Sequence, residues 1–342
     1  MADLPLSGVR VLDLSRLLPG PLATLRLQEL GAQVTKVEDP GAGDTARAML
    51  QTEAQRAAGE PGTFYTLLNR GKTIERLDLK SQDGHARLLA LAAQCEVLVE
   101  GFRPGVMARL GLGYDTLRAL NPRLVYCAIS GYGQHGPMAQ RAGHDINYIG
   151  YAGVLDQLAA PDDAPIVPNF QIGDLFGGAQ SAVQEILAAL YAVGRTGQGR
   201  ALDISMTHAV QRSNLLPAVA VLDHGATRRS GQDLLNGGVP CYNVYRTRDD
   251  RWMAVGALEL KFWQTLCEVI GKPQWRTLHW SLGQAPGSDA ARALKTELDA
   301  IFATRTQAAW CALFDPADCC VSPVLRLEEA FAHPLFTAGQ AR

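Results

Sequence analysis

Two segments of the chain carry side chains able to move protons near neutral pH. Ala142-Gly143-His144-Asp145-Ile146-Asn147-Tyr148 sets an imidazole beside a carboxylate just after a loop. Downstream, Gln171-Ile172-Gly173-Asp174-Leu175-Phe176-Gly177-Gly178 sets a second carboxylate at the mouth of a long apolar helix, followed by two glycines. The exposed N–H groups of a helix start can hold a developing negative charge. Together these parts suit a reaction in which a proton leaves one face of a carbon and returns to the other. The bland alternative makes Asp174 an N-cap and His144 a hydrogen-bonded loop residue, and spacing alone leaves both open.

The elements that must position these groups follow from hydrophobic patterning. Val9 to Leu14 reads as a strand, Leu22 to Leu30 as a helix stopped at Gly31, and Val34 to Val37 as a second strand. Pro19-Gly20-Pro21 is expected to break the chain between the first strand and that helix. The alternation continues with strands at 73–79, 97–99 and 124–126 and helices at 81–94 and 105–120. It predicts a doubly wound α/β domain with ligands at the carboxyl ends of its strands. No GxGxxG follows the first strand, which argues against a nicotinamide dinucleotide.

A helix from Asp174 to about Val193, a strand at 201–204 and a helix over 206–223 complete this part. Residues 40–66 are small and polar and read as a surface excursion, and the Pro/Asp-rich 156–168 as a rim or lid. Composition shifts near residue 225. Beyond it a hairpin (242–245 and 252–255), helices at 260–270, 290–303 and 306–313, and a strand at 320–324 predict a smaller α/β domain.

Composition excludes several classes of function. With 32 basic and 34 acidic residues, the chain has no overall charge that would draw nucleic acid or an anionic membrane. Its 342 residues are long enough for two domains, and 47% hydrophobic content is that of a globular protein. No apolar run reaches membrane-spanning length, and the start shows no secretory signal. The seven cysteines are odd in number and contain no CxxC, as in the reduced thiols of a cytoplasmic protein. The histidines show no HxxxH or HxH spacing, so no metal site is expected.

Arg103 ends a strand and precedes a helix, where a guanidinium fork suits a phosphate, and Arg109 follows on that helix. Arg70 and Lys72 form a basic turn in Asn69-Arg70-Gly71-Lys72, and Lys36 is a weaker candidate. A solvated surface role is the alternative for each. Glu259 closes the small and apolar run Val255-Gly256-Ala257-Leu258, either to orient a histidine or as a helix first-turn glutamate.

Along nearly its whole length the chain resembles the family III CoA-transferase superfamily (the CaiB/BaiF type). The resemblance is carried by Gly8 to Ser15, Pro19-Gly20-Pro21, Lys36-Val37-Glu38, Asn69 to Lys72, Asp78-Leu79-Lys80, Glu100 to Val106 and Ser130-Gly131-Tyr132-Gly133. Gly143-His144-Asp145-Ile146-Asn147-Tyr148 is similar to the α-methylacyl-CoA racemase branch, since transferases generally lack that histidine. This implies a Rossmann-like large domain, residues 1–224 with 325–342 returning to it, a small domain at 225–324, and an interlocked homodimer. It also implies His144 and Asp174 as two bases, Glu259 holding His144, and Asp145 beside the thioester. Lys36, Arg70, Lys72, Arg103 and Arg109 fall on the CoA side. Backbone N–H groups near Asp174 and in a Gly177-Gly178 turn would stabilise an enolate oxygen. Coenzyme A enters as part of the substrate, and no separate cofactor is implied. In the transferase branch the aspartate matching Asp174 is instead a nucleophile that forms a mixed anhydride. Gln171, the 48–66 excursion and the end of the chain at Arg342 depart from the racemase pattern.

Overall fold

The computed structural model describes residues 4–159 and 164–337. Short runs rich in valine, leucine and isoleucine form six strands: β1 (Arg10–Leu14), β2 (Gln33–Glu38), β3 (Thr73–Arg76), β4 (Val97–Glu100), β5 (Val125–Ser130) and β6 (Arg200–Ser205). They make one parallel sheet in the order β3-β2-β1-β4-β5-β6. Parallel neighbours need long crossovers, which the intervening helices supply.

Strand periodicity shows why both faces are covered. Val11, Val97, Val99, Val125 and Cys127 point to one layer, where they meet Ala23, Leu27, Ala182 and Ile186. Their neighbours Leu12, Leu98, Tyr126 and Ala128 point to the other, against Leu88, Ala92 and Leu117. The sheet is therefore doubly wound, as expected. Its winding reverses between β1 and β4, and that switch point opens a crevice at the carboxyl edge.

Local departures from expectation have local causes. Pro19-Gly20-Pro21 does not precede the first helix but begins it, in Pro19–Glu29, because a first-turn proline forfeits no helical hydrogen bond. The helix expected at 105–120 is two short ones, Val106–Arg109 and Tyr114–Leu120, parted where Gly111 takes a φ of +70°. The helix expected at 206–223 breaks at Asn214 into Met206–Ser213 and Leu215–His224. Pro217 cannot sit inside a continuous helix but is tolerated in the first turn of a new one. The 40–66 excursion carries Thr45–Ala48, Glu53–Ala57 and Thr63–Asn69, and it sends Asp44, Ala46 and Tyr65 into the interior.

Residues 4–158 and 166–218 form one compact unit; residue 159, residues 164–165 and residues 219–337 form a second. In the second unit β7 (Tyr242–Arg246), β8 (Trp252–Gly256) and β9 (Val321–Pro323) make an antiparallel sheet. Helices Leu260–Val269, Asp289–Phe302 and Gln307–Phe314 cover it, with Trp263, Phe302 and Trp310 in its core. The division thus falls a few residues before the expected 225. Residues 325–337 group with this unit instead of returning to the first. Arg251 binds Glu329 through both terminal nitrogens, at 2.9 and 2.6 Å, and Gln307 donates to the Val324 carbonyl at 3.2 Å. Residues 338–342, and 160–163 of the expected rim, lie outside the described residues. No described helix is long and apolar enough to cross a membrane.

Candidate active site

A cavity of about 470 Å³ opens at the carboxyl edge of the parallel sheet. Ser15 and Arg16 after β1, Phe102 and Arg103 after β4, and Gly131 and Tyr132 after β5 form its strand-end wall. His144, Tyr148 and Asp174 come from the helix starts that follow. The two proton-moving groups of the sequence, 30 residues apart, thus line one cavity at the switch point.

Asp174 lies in the first turn of Gly173–Gln180, a π-type stretch that runs straight into the helix Ser181–Thr196. Such widened turns recur at functional sites. Its backbone N–H donates to Asp145 Oδ1 at 2.9 Å. A Cβ on Gly173 would lie 2.9 Å from that same oxygen, so a side chain there would displace the Asp145 carboxylate from its bond. Burial first, and the Asp145 charge second, push the Asp174 carboxyl up to about 7. A helix start alone would favour the charged form, so desolvation wins here.

His144 immediately precedes the helix Asp145–Tyr151, and its backbone N–H donates to Asn147 Oδ1 at 3.0 Å. Its side chain is exposed on the cavity wall. Tyr148, one turn on, packs edge-to-face on Tyr132 at 5.3 Å, and its hydroxyl donates to the Gly143 carbonyl. Burial, then Asp174, push that phenol up to about 12, so it stays protonated. A Cβ on Gly131 would fall 2.3 Å from the Tyr148 ring, and one on Gly143 2.7 Å from the Tyr132 hydroxyl. Two glycines therefore admit the tyrosine pair that walls the site.

Several expected ligands lie elsewhere. Lys36 is fully buried, paired with Asp44 at 3.0 Å and donating to the Ser15 carbonyl at 2.7 Å. Lys72 is paired with Asp13 at 3.1 Å with both side chains out of solvent. Neither can touch a phosphate in the cavity, because a desolvated ammonium needs its internal carboxylate. Arg70 is exposed but held by Glu29. Arg109 is exposed at the end of its short helix and does not line the cavity. Gly177 and Gly178 make no turn. They are buried in the helix, where a Cβ would meet the Met206 carbonyl at 2.6 Å and Pro19 Cβ at 2.7 Å. Their role is close helix packing, and the Asp174 N–H expected for an oxyanion is already taken by Asp145. Glu259, in the second unit, is the exposed N-cap of Leu260–Val269, and its carboxylate has no ion pair among the described residues.

Residues 6–341 match CoA-transferase family III. The chain belongs to that family. The human "Alpha-methylacyl-CoA racemase" is 37% identical over 331 residues, covering 96% of this chain and 80% of the relative. The "Succinyl-CoA:glutarate CoA-transferase" of Mus musculus is 32% identical over 338 residues, covering 96% and 74%. A crystal structure of a CAIB/BAIF family protein from Brucella suis superposes with a TM-score of 0.83 at 26% identity, covering 99% of this chain and 88% of that one. Racemases and transferases thus both lie among its family III relatives.

Sequence reasoning missed Arg16, Arg141 and the role of Tyr148. Arg16 and Arg141 join Arg103 on the cavity wall, and none of the three has an ion pair among the described residues. Arg16 could have been found, since it follows β1 at the switch point. Arg141 has no local signal apart from standing before Gly143-His144.

Proposed function

We propose that this family III enzyme interconverts the two epimers of a 2-methylacyl-CoA thioester by proton transfer through an enolate. The observation that carries this reading is that His144 and Asp174 share one cavity with unpaired guanidinium groups. A CoA thioester brings phosphates for such groups and an α-carbon for the two bases.

The chemistry then follows from the groups present. A thioester α-proton is far less acidic than any side chain, so the enolate needs stabilising as it forms. One base takes the proton while the other, already protonated, returns one to the opposite face. Reversal exchanges their roles. A carboxyl raised to about 7 by burial and by Asp145 is populated in both forms near neutral pH, as a shuttling acid–base requires. The positive end of the long helix beginning at Gly173 favours the enolate oxygen electrostatically. Arg103, with Arg16 and Arg141, is assigned to the phosphates.

A homodimer belongs to the same proposal. Leu215, Leu216 and Leu222 are 67%, 60% and 83% exposed on a helix whose residues are otherwise mostly apolar, a surface suited to a second copy. A cytoplasmic site belongs to the proposal too, supported by seven free cysteines, which suit a reducing compartment.

The second reading, CoA transfer through an anhydride on Asp174, has the transferase relative at 32% identity in its favour. It uses only the ionised form of Asp174, as a nucleophile, where the racemase uses both forms in turn. Hydroxylamine trapping separates the two. A racemase yields no aspartyl hydroxamate at Asp174 when wild-type protein is mixed with acyl-CoA and hydroxylamine, because no anhydride forms whose aspartyl carbonyl hydroxylamine could attack with loss of the carboxylate. An adduct mapped to Asp174 by mass spectrometry makes the enzyme a transferase.

A further inference from the structure

The buried lysine at position 36 reaches the cavity through the backbone of its wall. Leu17, on that wall, has a φ of +64°, a left-handed conformation that leucine rarely adopts without external support. Three contacts hold the turn. The Ser15 N–H donates to Asp13 Oδ1 at 2.9 Å, Lys36 Nζ donates to the Ser15 carbonyl at 2.7 Å, and the Leu17 N–H donates to Asp44 Oδ1 at 3.1 Å. Lys36 and Asp44 pair at 3.0 Å with no side-chain exposure. Asp44 is anchored in turn, since its backbone N–H donates to Glu38 Oε2 at 3.4 Å and Arg47 Nε donates to the same oxygen at 2.8 Å.

Between the held residues stands Arg16, exposed, its guanidinium carbon 5.5 Å from the centre of the Phe102 ring. Arg16 and Phe102 line both the reactive cavity and an adjoining one of about 170 Å³, whose wall is apolar at Leu14 and Val37 but also carries Glu38, Asp39, Asp78 and Lys80, so Arg16 and Lys80 are its cations. Stability alone is a weak reason for two fully buried charges, because well-packed apolar residues commonly replace such a pair without loss. What this pair supplies is geometry.

We propose that Lys36 and Asp44 are a positioning pair that fixes the left-handed Leu17 turn, so that Arg16 faces the anionic part of a CoA thioester where the two cavities meet. The 40–66 excursion thereby serves the site from inside. This inference rests on the CoA-thioester reading of the cavity.

The test is calorimetric titration of the full-length protein with coenzyme A itself. Lys36→Met with Asp44→Ala removes both charges together, leaves Asp13 its partner Lys72 at 3.1 Å, and should weaken binding about tenfold. Adding Leu17→Gly, which takes the left-handed turn without a side-chain penalty, should recover most of that loss at an unchanged melting temperature. A purely structural role would not be rescued by glycine at a surface turn. Equal affinity of wild type and double variant, or no recovery with Leu17→Gly, overturns the proposal. If the charge-free pair does not fold, Leu17→Val tests the same turn with the pair intact. It should weaken coenzyme A several-fold, and an unchanged affinity overturns the proposal equally. Failure of the wild type to bind coenzyme A would instead remove the CoA-thioester reading.

Discussion

The backbone N–H of Asp174 donates to Asp145 Oδ1 at 2.9 Å, so the acid beside His144 is bonded to the helix start that carries the other acid. Burial raises the Asp174 carboxyl first, and the Asp145 charge adds to it. The epimer deprotonated by Asp174 needs that group ionised, so its kcat/KM should rise with pH through about 7. The opposite epimer needs it protonated, and its rate should fall over the same range. Asp145→Asn keeps an acceptor for the N–H and leaves the burial of Asp174 in place but removes the charge that adds to it, so both inflections should move to lower pH. Parallel pH–rate profiles of the two epimers check this, and unmoved inflections would dissociate Asp145 from Asp174.

The same carboxyl makes stability depend on pH. Its folded pKa of about 7 lies above the ordinary 3.8, so its contribution is fully present below the ordinary value and is lost as pH rises through about 7. Asp174→Asn should therefore stabilise the protein at pH values above that range, by an amount on the order of 1–3 kcal/mol after discounting for partial exposure. Near pH 4 the variant should match wild type. Denaturant titrations under the two conditions decide it, and equal shifts in both would contradict the assignment.

Lys72 should behave as an interior residue. Burial opposes the charge of Asp13, yet Lys36 and Lys72 together hold its carboxyl well below the usual carboxylate range. Lys72→Met leaves that carboxylate short of a partner and should cost about 3–5 kcal/mol in urea unfolding. Unchanged stability with weakened coenzyme A binding would restore Lys72 to the ligand site.

Arg103→Ala should weaken acyl-CoA binding by about 1–3 kcal/mol, the scale of a hydrogen bond to a charged group. The loss should shrink as salt is added. An unaltered dissociation constant would take Arg103 out of the site.

The sheet was legible because its strands are short apolar runs whose alternate residues must both be buried, as Leu12 and Val11 are on opposite faces. His144 and Asp174 were legible because strand ends and helix starts of such a sheet converge. Apart from Arg103, the basic residues were not. Lys36 and Lys72 look in sequence like Arg103, and what separates them is which way a strand or turn aims a side chain and whether a carboxylate waits inside. Asp44 supplies that partner from a polar stretch that reads as surface. Gly177 and Gly178 likewise read as a turn until Pro19 and Met206 are seen packed on them.

Deuterium entry at the α-carbon tests the assigned chemistry most directly. A single 2-methylacyl-CoA epimer in D2O, with enzyme and no carboxylic acid acceptor, should gain one deuterium at the α-position as the other epimer accumulates. Proton NMR follows both signals. Asp174→Asn should abolish epimerisation while His144 still exchanges the proton of one epimer. Wild-type enzyme that leaves the α-proton in place, and moves CoA only when a free carboxylic acid is supplied, would contradict the two-base reading.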